Sequence, residues 1–284
     1  MSKQKRIGII SRSPSGLHIE MERALRGSTD HQVSDTRARA HELALNALSA
    51  ASTTERLELA VKAVVLDPRC TDALVILSDV FEDLDDYIEA MYLIVMRAAE
   101  DLGAEFFQRE RGHFWEAIET RSYMRGRMQL ALALDEATMF NQAIAEFEGL
   151  LDLSGNDNLG ARLPLLALYL KTDKLDMASS LLTRFAEDTS PQFAWLRVLL
   201  AFLTHDSATA ESELHRAREH SKLVEGYLTG RKQLPDKLPE SAMADSVAEA
   251  VICASHIHGA WDAHPEAVRW LKGHAVPKPG RAKR

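Results

Sequence analysis

Residues 71–104 read TDALVILSDVFEDLDDYIEAMYLIVMRAAEDLGA, and this stretch decides the fold. Leu74, Leu77, Ser78 and Phe81 mark the apolar face of a first helix. Tyr87, Ala90 and Ile94 mark a second, beyond an acidic turn. Spacings of three and four residues belong to helices, since strands alternate every two. A helix, a tight turn, then a helix with a small residue where the two must touch is a unit built for repetition. Units of this length stack into solenoids that present a long curved surface to a partner.

The unit returns along the chain. Ala90 is followed by Ala143 after 53 residues (34 plus 19), by Ala178 after 35 more and by Ala210 after another 32. Residues 124–157 carry Leu130, Ala131, Phe140, Ala143 and Phe147. Units near 158–190 and 191–224 keep Ala178 with Leu182, and Ala210 with Leu214 and Ala217. Upstream, Ala40, Leu43, Ala44 and Ala47 form a helical stripe, with Ser34-Asp35 as expected caps. Ser52 to Glu55 reads as a capping box opening a helix that runs to Leu66, and Asp67-Pro68 ends it. Small residues let paired helices approach, and large ones fill the adjoining grooves.

Unit 71–104 resembles the tetratricopeptide repeat family in its early large residue, its Leu77-Ser78 pair, its aromatic before the second helix and its alanine. The preceding run Ala63 to Pro68 matches the way that family's repeats end. The resemblance covers roughly 37–224. It implies an all-α, right-handed superhelix (an α-solenoid) of about five helix pairs, closed by a helical C-terminal cap. The departures are that only Pro68 supplies the terminal proline, and that Arg97 and Leu150 stand where a small residue is usual. GHFW (112–115), ETRxYMR (119–125), NDNxGxR (156–162) and YLxGRKxLP (227–235) resemble a bacterial group of such proteins, itself similar to the eukaryotic suppressor-of-tumorigenicity tetratricopeptide family. Proline is expected where Ser122 stands, and a serine there would act as an N-cap. The resemblance implies a helical-repeat protein with no known reaction.

The 284 residues, 46% hydrophobic with 14 Gly and 9 Pro, can bury a large core. The reading divides the chain into a flexible arm (1–33), a repeat domain (34–273) and a basic tail (274–284). A net charge of −8 disfavours a general nucleic-acid coat. The ends are basic nonetheless, with Lys3, Lys5, Arg6 and Arg12 in front and Lys272, Lys278, Arg281, Lys283 and Arg284 behind. They permit an alternative reading as a nucleic-acid-associated adaptor, for which strong salt dependence is the mark. Two cysteines outside any CxxC fit a reducing compartment, and no stretch approaches the ~20 apolar residues that cross a bilayer. A cytoplasmic protein without membrane attachment is expected. The oligomeric state stays open.

Residues 105–123 break the register and interleave aromatics with arginines and glutamates. In one reading Phe106, Phe107, Phe114 and Trp115 plug the gap left by the break, with Glu119 and Arg121 paired internally. In the other, Arg121, Arg125, Gln129 and Arg162 lie on an inner groove. The family resemblance implies that first helices line the concave face, with their second, fifth, sixth and ninth places pointing inward. That assigns Asp72, Val75, Ile76 and Asp79 to one unit, Arg125, Met128, Gln129 and Leu132 to the next, and Arg162 with Leu163 to the third. The groove would be acidic at one end and basic in the middle. Its partner-binding set would be Trp115, Glu119, Arg121, Tyr123, Arg125, Gln129 and Arg162, holding a peptide or partner protein with arginines on carboxylates.

No phosphate loop, nucleophile elbow or HExxH is present, and no catalysis or cofactor is expected. The cluster Cys253, His256, His258, His264 and His274 has zinc-type donors. Its spacing scatters them over different helix faces, so a metal-dependent enzyme is the least favoured alternative. Ser241 to Asp262 reads as a long capping helix, and Pro265 opens a short one carrying Trp270 and Leu271. Trp261 and Trp270 are expected to cover the last repeat.

Overall fold

The computed structural model describes residues 35–239 and 241–274. The predicted arm (1–33) and all but the first residue of the predicted basic tail lie outside them. The regular elements among the described residues are helical. They are α1 (Asp35–Ser49), α2 (Thr53–Leu66), α3 (Thr71–Ser78), α4 (Leu84–Leu102), α5 (Ala104–Arg109), a 3₁₀ turn (Ile118–Thr120), α6 (Arg121–Glu136), α7 (Phe140–Leu153), α8 (Arg162–Lys171), α9 (Leu175–Arg184), α10 (Pro191–Leu203), α11 (Ser207–Ser221), α12 (Val224–Leu228), α13 (Val247–Asp262) and α14 (Pro265–Gly273). The protein is all-α, in two compact units, Met1–Ala161 and Arg162–Arg284.

In the first unit α1 packs on α2, α3 on α4, and α6 on α7. The first helices also meet in succession, α1 with α3 and α3 with α6. Alanines make the contacts close. Ala40, Ala44 and Ala47 of α1 share a core with Ala60, Ala63, Cys70, Ala73 and Ile76. The Ser52 hydroxyl accepts the Glu55 N–H and starts α2, and the Asp67 N–H closes it on the Ala63 carbonyl. On α4 the buried stripe is Leu84, Tyr87, Ile88, Met91, Val95 and Ala98. Ala90 is only half-buried, on the flank of that stripe.

The register break forms α5, a loop and the 3₁₀ turn. A backbone bridge between His113 and Ser154 pins the loop to the end of α7, and the Phe114 N–H donates to the Leu153 carbonyl. Phe114 is fully buried and stacks among Phe106, Phe107 and Tyr123, with ring centroids 4.8–6.1 Å apart. α6 begins at Arg121, with Thr120 rather than Ser122 in the N-cap position. Ser122 is drawn instead into a contact across α3.

In the second unit α8 packs on α9 and α10 on α11. α8 and α10 are also in contact, and α13 packs on both of them as well as on α12. Consecutive residues Leu165 to Leu170 are all buried, so α8 has no solvent side there. α13 starts at Val247, later than the Ser241 expected from the sequence. The Ser246 hydroxyl accepts the Glu249 N–H, the Glu249 carboxylate accepts the Asp245 N–H, and this cap fixes the start.

Three hairpin turns share one geometry. Thr138, Asp173 and His205 follow α6, α8 and α10 with φ of 60°, 57° and 59°. The next N–H reaches back to a helix carbonyl each time: Met139 to Leu134, Lys174 to Tyr169 and Asp206 to Ala201. This is a Schellman-type termination, which satisfies carbonyls at a helix end and reverses the chain. Ala143, Ala178 and Ala210 each lie five residues past the left-handed residue and are fully buried. The alanine spacing in the sequence is therefore the spacing of these turns.

Candidate functional site

The charges assigned to the acidic end and the basic middle of a groove are each other's partners. Asp72 near the start of α3 faces Arg125 on α6. Arg125 Nε donates to Asp72 Oδ1 at 2.8 Å and Nη2 to Oδ2 at 2.6 Å. The Ser122 hydroxyl donates to Oδ2 at 2.7 Å. The side chains of Arg125 and Asp72 are 8% and 3% exposed. Burial alone would raise the Asp72 pKa, but the Arg125 charge and the hydrogen bonds from Arg125 and Ser122 hold it at about 2. A planar fork on a planar carboxylate is the strong form of such a pair. A Cβ at Gly126 would lie in ordinary contact with Val75 (3.5 Å) and Val95 (3.6 Å), so this glycine faces the packed surface between α6 and its neighbours.

The other predicted residues divide by exposure. Arg121 is buried, donates from Nε to the Trp115 carbonyl at 3.0 Å and stacks 5.1 Å over the Trp115 ring. Trp115 itself is half-buried and Glu119 exposed. Tyr123 is buried in the aromatic cluster, and burial pushes its phenol pKa up. Its hydroxyl meets Arg127, which is paired with Glu146 at 2.6 Å. Gln129, one turn beyond Arg125, is half-buried, as are Val75, one turn beyond Asp72, and Leu132.

Arg162 belongs to the second unit. Its guanidinium pairs with Asp188 at 2.8 Å and lies 5.3 Å over Phe185 and 5.8 Å over Phe193. Burial works against the Asp188 carboxylate, but hydrogen bonds from Ser190 and Arg162 hold its pKa below the usual range. This cluster staples α8 to the turn that precedes α10.

Among the described residues, no three Cys, His, Asp or Glu side chains stand close enough to hold a metal ion. Cys253 is buried, and His258 pairs with Asp262 at 2.7 Å. His264 is buried and donates from Nε2 to the Leu170 carbonyl at 2.8 Å. No described helix is long and apolar enough to cross a membrane.

One polar cluster carried no sequence expectation beyond the YLxGRKxLP resemblance. Glu225 of α12 is 6% exposed and held by Arg218 and Arg231, each at 2.8 Å. Arg218 also donates to the His274 carbonyl at 2.6 Å, so one guanidinium ties α11, α12 and the end of α14 together. A lone glutamate among arginines in sequence gives little warning of such a junction. The only hint is that Arg218 and Arg231 lie seven and six residues to either side.

Compared with known proteins, the chain matches no family model and no curated sequence.

Proposed function

We propose that the protein is a helical-repeat interaction module of the tetratricopeptide type, binding a peptide or partner protein without catalysing a reaction. The observation that carries this reading is the side-by-side succession of first helices α1, α3 and α6, each backed by its own hairpin partner. That arrangement gives a face with one first helix per unit, the kind of surface on which repeat proteins seat extended ligands. The shared turn geometry at Thr138, Asp173 and His205 supports the repeat.

The pairing of Asp72 with Arg125 changes what grips the partner. Arg125 is part of the wall, and a carboxylate arriving from outside would compete with a closer, already desolvated one. The half-buried side chains one or two turns on, Val75, Gln129 and Leu132, are left to meet a partner, with half-buried Trp115 and exposed Glu119 as further contacts. The contact surface is then mainly apolar.

The test compares affinity capture by the intact protein with capture by Leu132→Asp and Gln129→Lys variants that melt within a few degrees of it. The expected result is a defined protein retained by the intact form and lost from both variants. Capture that both variants leave intact would overturn the reading.

A further inference from the structure

Hairpins stacked in regular order would place the next helix against α10 and α11 and leave α8 alone. α13 does not take that place. It packs on α8, α10 and α12 together. The first helices of the second unit therefore lie between their hairpin partners, α9 and α11, and a helix from the end of the same chain. α13 sits on the face that first helices offer to a partner in repeat proteins.

The contact has the form of a docked ligand. Its centre is Trp261 against Trp195 of α10, both 0% exposed, with ring centroids 6.3 Å apart. Small residues, Ala250, Cys253, Ala254 and Ala260, bring the backbone of α13 close. Its two clasps bond backbone carbonyls, His264 to Leu170 at the end of α8 and Arg218 to His274 after α14. Between α12 and α13, residues 230–239 and 241–246 carry no helix and are mostly exposed. A tether of that length holds the segment near its face while leaving it free to leave.

The fit is also incomplete. Among the described residues the buried Trp261 indole N–H has no acceptor and the Ser221 hydroxyl no partner, next to the carbonyl that accepts the Trp195 N–H at 3.2 Å. Buried polar groups without partners weaken an interface that apolar packing favours.

We infer that the α8/α10 face is a helix-binding surface which α13 and α14 occupy in cis, so that it receives a partner's amphipathic helix of the same small-and-large pattern only when that segment is displaced. This does not depend on how the first unit is used. The tethered helix sets a threshold. A competitor must reach the effective concentration of the tethered segment, about millimolar for a flexible connection.

The test uses the full chain carrying Cys70→Ala, which leaves Cys253 as its one thiol. Cys253 lies on the buried face of α13, and burial, with Glu249 nearby, pushes its pKa up, so a thiol reagent labels it only when the segment lifts. The expected result has two parts. Labelling should run at least tenfold faster than global unfolding and depend weakly on urea. A synthetic peptide of residues 246–273 carrying Cys253→Ala, added near 1 mM (about the effective concentration above), should speed it at least tenfold further. Labelling that tracks global unfolding across urea would overturn the inference. So would fast labelling indifferent to the peptide, because the face would then open without accepting a helix. Should Cys70→Ala fail to fold, hydrogen exchange on the unaltered chain follows the same opening. The α13 amides must then exchange faster than those of α8 and α10 and respond to the peptide, and exchange at the same rate in all three helices would overturn the inference.

Discussion

Replacing Arg125 with methionine keeps the bulk of the side chain and removes its charge, which leaves the Asp72 carboxylate buried without its guanidinium fork, with the Ser122 hydroxyl and the weaker influence of His41 remaining. The side chain of Asp72 is 3% exposed, and two of its three short hydrogen bonds come from Arg125. Removing one member of a buried ion pair typically costs about 3–5 kcal/mol, because the other charge stays desolvated. For a unit of this size that lowers the melting temperature by roughly 10–20 °C. Urea unfolding followed by helical circular dichroism measures the loss directly. The paired change Asp72→Leu with Arg125→Met removes both charges and should regain most of it, a non-additivity of about 2 kcal/mol or more in the double-mutant cycle. A loss below about 1 kcal/mol for Arg125→Met, with partner binding weakened instead, would refute the assignment of this arginine to the wall.

Acid should act on the same pair. The folded Asp72 pKa of about 2 lies below the unfolded value near 3.9, so the carboxylate contributes stability that is fully present above about pH 4–5 and lost as pH falls through 2. The contribution is about 2–3 kcal/mol, and Asp72→Asn should remove that part of the acid dependence in pH-dependent urea titrations. Thr138 is a β-branched residue at φ 60°, so Thr138→Gly should raise stability by about 0.5–1 kcal/mol, while the same change at an ordinary helical site lowers it. Trp261→Phe deletes an N–H that has no acceptor among the described residues and Trp195→Phe deletes one bonded to the Ser221 carbonyl. Thermal melts should therefore show the Trp195 variant to be the less stable by about 1 kcal/mol, and the reverse order would contradict the hydrogen-bond assignment.

The helices, and the places where they turn, were legible because both depend on local chemistry. Ala143, Ala178 and Ala210 are small where each second helix begins its contact, and the residues five positions earlier reverse the chain. Thr138 does not advertise a left-handed conformation by type, and Asp173 and His205 do so only weakly, so the turn geometry was hidden behind its alanine. Ala90 keeps the spacing yet sits on a flank, because α4 buries a stripe that includes Tyr87, Ile88 and Met91. The candidate site was less legible. Asp72 and Arg125 are 53 residues apart, and the family resemblance assigns places to an inner face without saying which charges meet. An inward-facing arginine looks the same whether its carboxylate comes from a partner or from the adjoining helix. That Trp261 and Trp270 cover the last hairpin was legible, and they meet Trp195 and Phe202 of α10; the contact of α13 with α8 was hidden, since an amphipathic helix with small residues does not show how many helices it packs on.

The most direct measurement of the central claim is site-specific photo-crosslinking from two positions of the full chain in its native lysate. One crosslinker replaces Gln129, on the first-helix face of the first unit. The other replaces Lys62, exposed on α2. The account predicts that one defined protein is captured from position 129, that it is absent from position 62, and that Leu132→Asp abolishes the capture while the melting temperature holds. Equal capture from both positions, or capture from 62 alone, would contradict it.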